Sequence, residues 1–199
     1  MTLLTLASTS PARKKILSEA GIAFELLSPG VDEDALVARE NPATACDLTL
    51  LLAKAKGQAG SELAKTRLVL GCDSALEFEG EILGKPLVPE VARERWLKMR
   101  GKSGELHSGH HLIDLETGEQ VSSCTQTKVH FANLTEEQVD RYVATGEPLQ
   151  VAGAFTIDSI GGAYIDRIEG DYHTVVGLSL SALRNMTESL GHSYESLWR

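Results

Sequence analysis

"LLTLASTSPARKKILSEAG", residues 3–21, passes from an apolar run through three small hydroxyl residues into a helix start. LLTLA reads as a strand. Ser10 is a natural N-cap, Pro11 suits the first helical position, and Gly21 stands just past the end of the helix. The chain goes on alternating in this way. FELLS (24–28) reads as a second strand, and a longer helix follows Asn41-Pro42 with Leu48, Leu51, Leu52 and Ala55 on one face. TRLVLG (66–71) is a strand, and ALEFEGEIL (75–83) is a tight hairpin turning at Glu79-Gly80. PEVARERWLKMRG (89–101) is helical, and residues 105–131 form a long hairpin around ETGE. LTEEQVDRYVATG (134–146) opens with a capping box from Thr135 to Gln138. GAYIDRI (162–168) is a strand, and SLSALRNMTESLG (179–191) closes the chain as a helix. No internal repeat, low-complexity linker or obvious domain cut interrupts residues 1–199.

Composition narrows the function classes. With 199 residues and 42% hydrophobic content the chain can bury a proper core. A net charge of -9 opposes contact with a nucleic acid polymer, so any anionic partner is small and met locally. Cys46, Cys72 and Cys124 lie far apart, with neither an even count for a disulfide framework nor the close pairs of a zinc site, and a reducing cytoplasm fits best. The N-terminal apolar run is too short for a signal peptide or a membrane span.

Two places carry chemistry. At the start of the first helix, free N–H groups and a partial positive charge favour a phosphate, while Arg13, Lys14 and Lys15 sit where the dipole disfavours cations. Their placement makes sense if an anion is held against Ser8, Ser10 and Arg13; a solvated helix face with a good cap is the plainer alternative. The second is Asp73, read at the carboxyl end of an apolar strand, where open α/β sheets gather ligands. Glu33, on the loop PGVDED, brings another carboxylate. Such carboxylates facing Lys56, Lys85 and Arg13 suit a magnesium ion bridging phosphate oxygens, whereas Asp73 alone would read as a strand-end cap.

Other motifs fail. GEILGKP (80–86) has one residue too few between its glycines for a P-loop, and Pro86 stands where Ser or Thr is needed. VDEDAL has D-x-D spacing, but Pro29-Gly30 break the strand that such an aspartate should cap. His110 and His111, adjacent in a strand, face opposite sides and do not join His107 in a metal site. Glu77, Glu79 and Glu81 are the solvent-facing positions of a hairpin.

Six ordered blocks, LASTSPARKKIL, GVDED, LAKAKG, LGCDSALEFEGEILGKP, YVATGEPLQVAGAF and DRIEGDYHTVVGLSL, closely resemble the Maf family of nucleoside triphosphate pyrophosphatases over nearly the whole chain. The resemblance implies an α/β fold related to the inosine triphosphate pyrophosphatases, with an elongated mixed sheet flanked by helices and two lobes around a central cleft. It implies hydrolysis of a nucleoside triphosphate to monophosphate and pyrophosphate, dependent on Mg²⁺ or Mn²⁺, in a cytoplasmic homodimer linked to septum formation and to clearing unwanted nucleotides. By position, Asp73 matches the catalytic aspartate, Glu33 the acidic loop residue, Ser8 the first serine of the phosphate-binding stretch, and Arg13, Lys56 and Lys85 the basic substrate contacts. The metal is then held by Glu33 and Asp73, with Asp158 a further candidate, and Asp73 or a water on the metal takes the proton of the attacking water.

The chain also departs from the family pattern. Ala12 stands where many members carry arginine and the forms resembling 7-methyl-GTP hydrolases carry a large aromatic. "CDS" and "GAFTIDS" replace the "ADT" and "GAYGIQG" of dTTP- and UTP-hydrolysing members, so Ser74 and Asp158 bear on substrate choice. The second reading is a non-catalytic nucleotide-binding regulator of septum formation; the intact Lys56, Asp73 and Lys85 set argues for the enzyme.

Overall fold

The computed structural model describes residues 3–199. Strand β1 (Leu4–Ala7) is buried at all four positions, the pattern of a parallel strand covered on both faces. Helix α1 (Pro11–Glu19) follows it, with Ser10 accepting from the Arg13 amide as N-cap, and returns the chain to β2 (Phe24–Leu27), parallel to β1. Strand β3 (Leu68–Phe78) pairs in parallel with the other edge of β1, Leu4 opposite Leu68 and Ala7 opposite Gly71. The full sheet has seven strands in the order β2-β1-β3-β5-β6-β7, where β5 is Ser103–Asp114, β6 Gln120–Phe131 and β7 Ile165–Glu169, with β4 (Glu81–Leu83) antiparallel on β3. It is a mixed sheet with flanking helices, the α/β class expected.

Two helices differ from the expectation. Glu33, expected on the loop PGVDED, instead opens α2 (Glu33–Glu40), with Asp32 as N-cap and Asn41 in the left-handed region at its end. None of its residues is buried, so it has no apolar stripe by which to be found. Helix α3 (Ala45–Ser61) was expected to pack through Leu48, Leu51, Leu52 and Ala55, of which only Leu52 is buried. Its inner face is instead Ala45, Thr49, Leu52, Ala53, Lys56, Gly57 and Gly60. Small residues win because the helix lies very close to the strands beneath it. A Cβ on Gly71 would stand 2.1 Å from the Ala53 carbonyl oxygen, one on Gly109 2.4 Å from that of Thr49, and one on Gly60 2.6 Å from Ala7.

Strand β3 also runs longer than expected. Its start pairs with β1, while Leu76–Phe78 pair with β4 around Glu79 and Gly80, both at positive φ as a two-residue hairpin turn requires. Asp73 therefore lies inside a continuous strand, two residues beyond the last β1 partner, rather than at a strand end. β7 starts only at Ile165, because residues 160–164 wind into a 3-10 turn.

The described chain divides into two compact units. One comprises the residues up to Asp73 with Ser108–Thr125 and Gly177–Arg199, the last including the helix Leu180–Ser189. Here Cys46 and Cys124 meet across 78 residues, with Cα atoms 6.0 Å apart. The distance of the three cysteines along the sequence hid that α3 and β6 bring two of them together; Cys72 is buried apart from this pair.

The other unit comprises Ser74–His107 and Gln126–Val176. It contains α4 (Pro89–Met99), α5 (Glu136–Ala144) with both bonds of its Thr135–Gln138 capping box, and α6 (Tyr172–Val176), a short helix whose first amides donate to Asp171. Its core is aromatic. Trp96 stacks edge-on against Tyr142 at 5.4 Å and Phe131 at 5.7 Å, and its indole N–H donates to the Ala154 carbonyl at 2.6 Å. No described helix is long and apolar enough to cross a membrane.

Candidate active site

The carboxyl end of β1 delivers Ser8 to the mouth of α1. Its hydroxyl oxygen accepts from the Ser10 amide and from Nη1 of Arg13, each at 3.2 Å. Arg13 is buried in the first turn of α1, and its Nε donates to the Gly177 carbonyl at 2.8 Å. The dipole that disfavours a cation here is thus answered by a hydroxyl and a carbonyl. Lys14 and Lys15, by contrast, are exposed.

Side-chain alternation along β3 builds the second cluster. Gly71 faces α3 and lets it approach; two residues on, Asp73 points the same way. On the helix, Lys56 lies one turn beyond Ala53, whose carbonyl is against Gly71. Lys56 Nζ therefore meets Asp73 Oδ1 at 2.6 Å, and Glu33 Oε1 from the first turn of α2 completes the bridge at 2.8 Å. Lys56 and Asp73 are nearly closed off from solvent, with side chains 9% and 13% exposed, while Glu33 is 45% exposed. Burial raises the Asp73 carboxyl above its ordinary range, and the charges of Lys56 and Arg13 pull against that shift without cancelling it. The neighbouring Cys72 thiol is pushed up to about 12 by burial and stays neutral.

Lys85 and Asp158 belong to the other unit. Lys85 is exposed on the segment after β4, between Gly84, whose carbonyl accepts from Arg95 Nη1 at 2.6 Å and from the Gly153 amide at 3.2 Å, and Leu87, whose amide donates to the Leu149 carbonyl at 3.0 Å. Asp158 is half-buried in the stretch between Phe155 and Ile160. Of the residues singled out from the sequence, Ser8 meets Arg13, and Glu33, Lys56 and Asp73 meet each other.

Glu147 gathers a cluster of donors that sequence reasoning missed. Its carboxylate gathers the Tyr142 and Thr156 hydroxyls and the amides of Ile160 and Gly161. The one local sign was an acid wedged between Gly146 and Pro148 in a glycine-rich stretch. Two of the three β5 histidines have structural partners. His110 accepts from the Ser179 amide at 2.9 Å, and His111 lies on the opposite side, against Gly57 of α3 and bonded to Ser122 at 2.8 Å. Among the described residues no three His, Cys, Asp or Glu side chains are gathered as a metal cage.

The family model for Maf-like proteins matches residues 3–190. The chain is 50% identical to the nucleoside triphosphate pyrophosphatase of Salinispora tropica, over 98% of this chain and 87% of that one. Identity is 47% to the protein of the same name from Nocardia farcinica (98% and 96% covered) and 45% to that from Streptomyces coelicolor (98% and 94%). On this match, which takes in both clusters and both units, the chain belongs to the Maf-like protein family.

Proposed function

We propose that the protein hydrolyses a nucleoside triphosphate to the monophosphate and pyrophosphate, with Asp73 receiving the proton of the attacking water. The observation that supports this reading is a buried carboxylate made more basic than usual, held by Lys56 and within electrostatic reach of Arg13. A general base needs both properties: a raised proton affinity and a fixed direction. Lys56 grips Oδ1, so the proton is received at Oδ2. As water oxygen bonds to the α-phosphorus, the bond to the bridging oxygen breaks and its electron pair leaves with pyrophosphate. Arg13, fixed by Ser8 and Gly177, is placed to stabilise the charge that grows there.

Two carboxylates converging on one cationic centre are the donor set that Mg²⁺ or Mn²⁺ takes when it keeps waters and accepts substrate phosphate oxygens, so Glu33 and Asp73 fit as its protein ligands. When bound, the ion would supply positive charge to the phosphate oxygens. On the family pattern the proposal extends to Lys85 as a phosphate contact and to Asp158 as a residue for base recognition or metal holding. It extends further to one functional domain over residues 1–199, a cytoplasmic homodimer, and a role in clearing non-standard nucleotides linked to cell division. The test is pyrophosphate release over a panel of triphosphates, with Mg²⁺ or Mn²⁺ and with chelator. Binding without release on every nucleotide would overturn the reading in favour of a non-catalytic regulator.

A further inference from the structure

We infer that Glu147 is a positioning residue for the substrate contacts of its unit: its carboxylate folds the segment that carries Asp158, and the turn it opens braces the segment that carries Lys85. The inference rests on the substrate roles proposed above for those two residues.

The geometry is that of a small anion nest filled by the protein's own side chain. Glu147 Oε1 accepts from the Tyr142 hydroxyl at 2.9 Å, the Thr156 hydroxyl at 2.5 Å and the Gly161 amide at 2.8 Å, and Oε2 accepts from the Ile160 amide at 3.1 Å. Tyr142 in turn accepts from the Thr156 amide at 3.3 Å. Asp158 therefore sits in a short arch whose two feet, Thr156 and Ile160, stand on one carboxylate. Closure around it is tight. A Cβ on Gly161 would lie 2.3 Å from the Tyr142 hydroxyl, and one on Gly162 2.4 Å from the Ile157 carbonyl oxygen. Burial disfavours the charge on Glu147, but the surrounding donors outweigh it and hold the carboxyl at about 2, so it is ionised across the working pH range.

The same stretch reaches Lys85. Glu147 begins the 3-10 turn Glu147–Gln150, from which the Leu149 carbonyl takes the Leu87 amide, and further on the Gly153 amide donates to the Gly84 carbonyl. Those two bonds flank the Lys85-Pro86 pair. Leu87 is held at φ 64, a left-handed conformation that costs a leucine free energy and persists only where its surroundings enforce it. One carboxylate thus closes the arch that carries Asp158, and the turn that Glu147 opens makes a backbone bond beside Lys85-Pro86.

The experiment compares Glu147→Ala, Glu147→Gln and Thr156→Val with the unmodified enzyme, at a temperature where melts show every variant folded. Glu147→Gln keeps an acceptor for the hydroxyls and the Gly161 amide but turns an NH₂ toward the Ile160 amide. We expect kcat/KM to fall by about 10- to 100-fold in Glu147→Ala, mostly through KM, with a smaller loss in Glu147→Gln. The ranking of UTP, dTTP, CTP, GTP and 7-methyl-GTP should shift as it does in Asp158→Asn, and the double variant Glu147→Gln/Asp158→Asn should be little worse than its poorer parent. If the Glu147 variants only melt earlier, with unchanged KM and ranking while Asp158→Asn and Lys85→Ala are impaired, the inference is overturned and the proposed function stands. Should Asp158→Asn and Lys85→Ala themselves behave as the unmodified enzyme, both the substrate roles and the inference built on them fall. If Glu147→Ala does not fold, Thr156→Val, which removes one donor only, takes its place: a raised KM with a shifted ranking supports the positioning role, and an earlier melt alone overturns it.

Discussion

Lys56 holds one positive charge between Glu33 and Asp73, nearly out of reach of water. Removing the ammonium leaves carboxylates facing each other in a poorly solvated place, which is worse than removing the whole group. Lys56→Met is expected to cost about 3 kcal/mol, near the low end of the range for a broken buried pair because Glu33 is half in solvent. Urea unfolding checks it, and the double variant Lys56→Met/Asp73→Asn should recover part of the loss. Asp73→Asn alone keeps the shape but cannot accept a proton, so turnover should drop by about 100-fold or more with the fold retained. Wild-type-like pyrophosphate release from that variant would remove Asp73 from the chemistry. Both Asp73 and Lys56 were legible from the sequence as residue types, since a carboxylate next to an apolar run and a lysine on a small-residue helix are visible in one dimension. Their 2.6 Å contact was not, because it depends on how closely α3 approaches β3.

At the scale of elements, that approach is set by glycines on the strands. Gly71→Ala would drive a methyl into the backbone at Ala53 and Gly57, neither of which can rotate away. Overpacking of this kind typically costs about 1–3 kcal/mol, and here the displaced helix also carries Lys56. We expect Gly71→Ala to lose more activity than its melting shift explains, and Gly109→Ala, which meets the Thr49 backbone, to behave alike. Kinetics measured well below each melting point would decide; a destabilised variant with full activity would show that α3 can slide without disturbing Asp73. The meeting of Cys46 with Cys124 adds a second contact to α3, since it sets the first turn of that helix against β6 across 78 residues. An oxidised pair is expected to lose about 2–4 kcal/mol on addition of reductant, an effect that Cys46→Ser abolishes, whereas a pair kept as thiols in a reducing cytoplasm shows no response.

At the scale of the whole molecule, the fold's response to acid depends on carboxylates that are charged inside it. Asp114 is fully buried, yet the Arg67 guanidinium, the His192 ring and the amides of Glu116 and Thr117 outweigh burial and hold its carboxyl well below the usual range. A depressed folded value means that its contribution is present above the unfolded carboxylate value of about 4 and is lost as pH falls below it. Glu147, held at about 2, acts in the same direction. Melting temperature should therefore lose the part that these two carboxylates support as pH drops below about 4. In Asp114→Asn it should start lower and depend less on pH; an unchanged acid profile would show that Asp114 gains nothing from its partners.

Elements with local signals were settled by the order of residues alone: β1 running into a Ser10-capped α1, the Glu79-Gly80 hairpin, the Thr135–Gln138 capping box, and the ordered blocks that mark the family. Each is written in neighbouring residues, where backbone geometry and hydrogen bonding are fixed within a turn or two. The buried face of α3, the meeting of Cys46 with Cys124, and the donors that Glu147 gathers from Tyr142 to Gly161 were settled only by packing in three dimensions. A close approach of two backbones, or a charge satisfied by donors on separate turns of the chain, leaves no periodic trace in the sequence; it exists only once packing has brought those segments together.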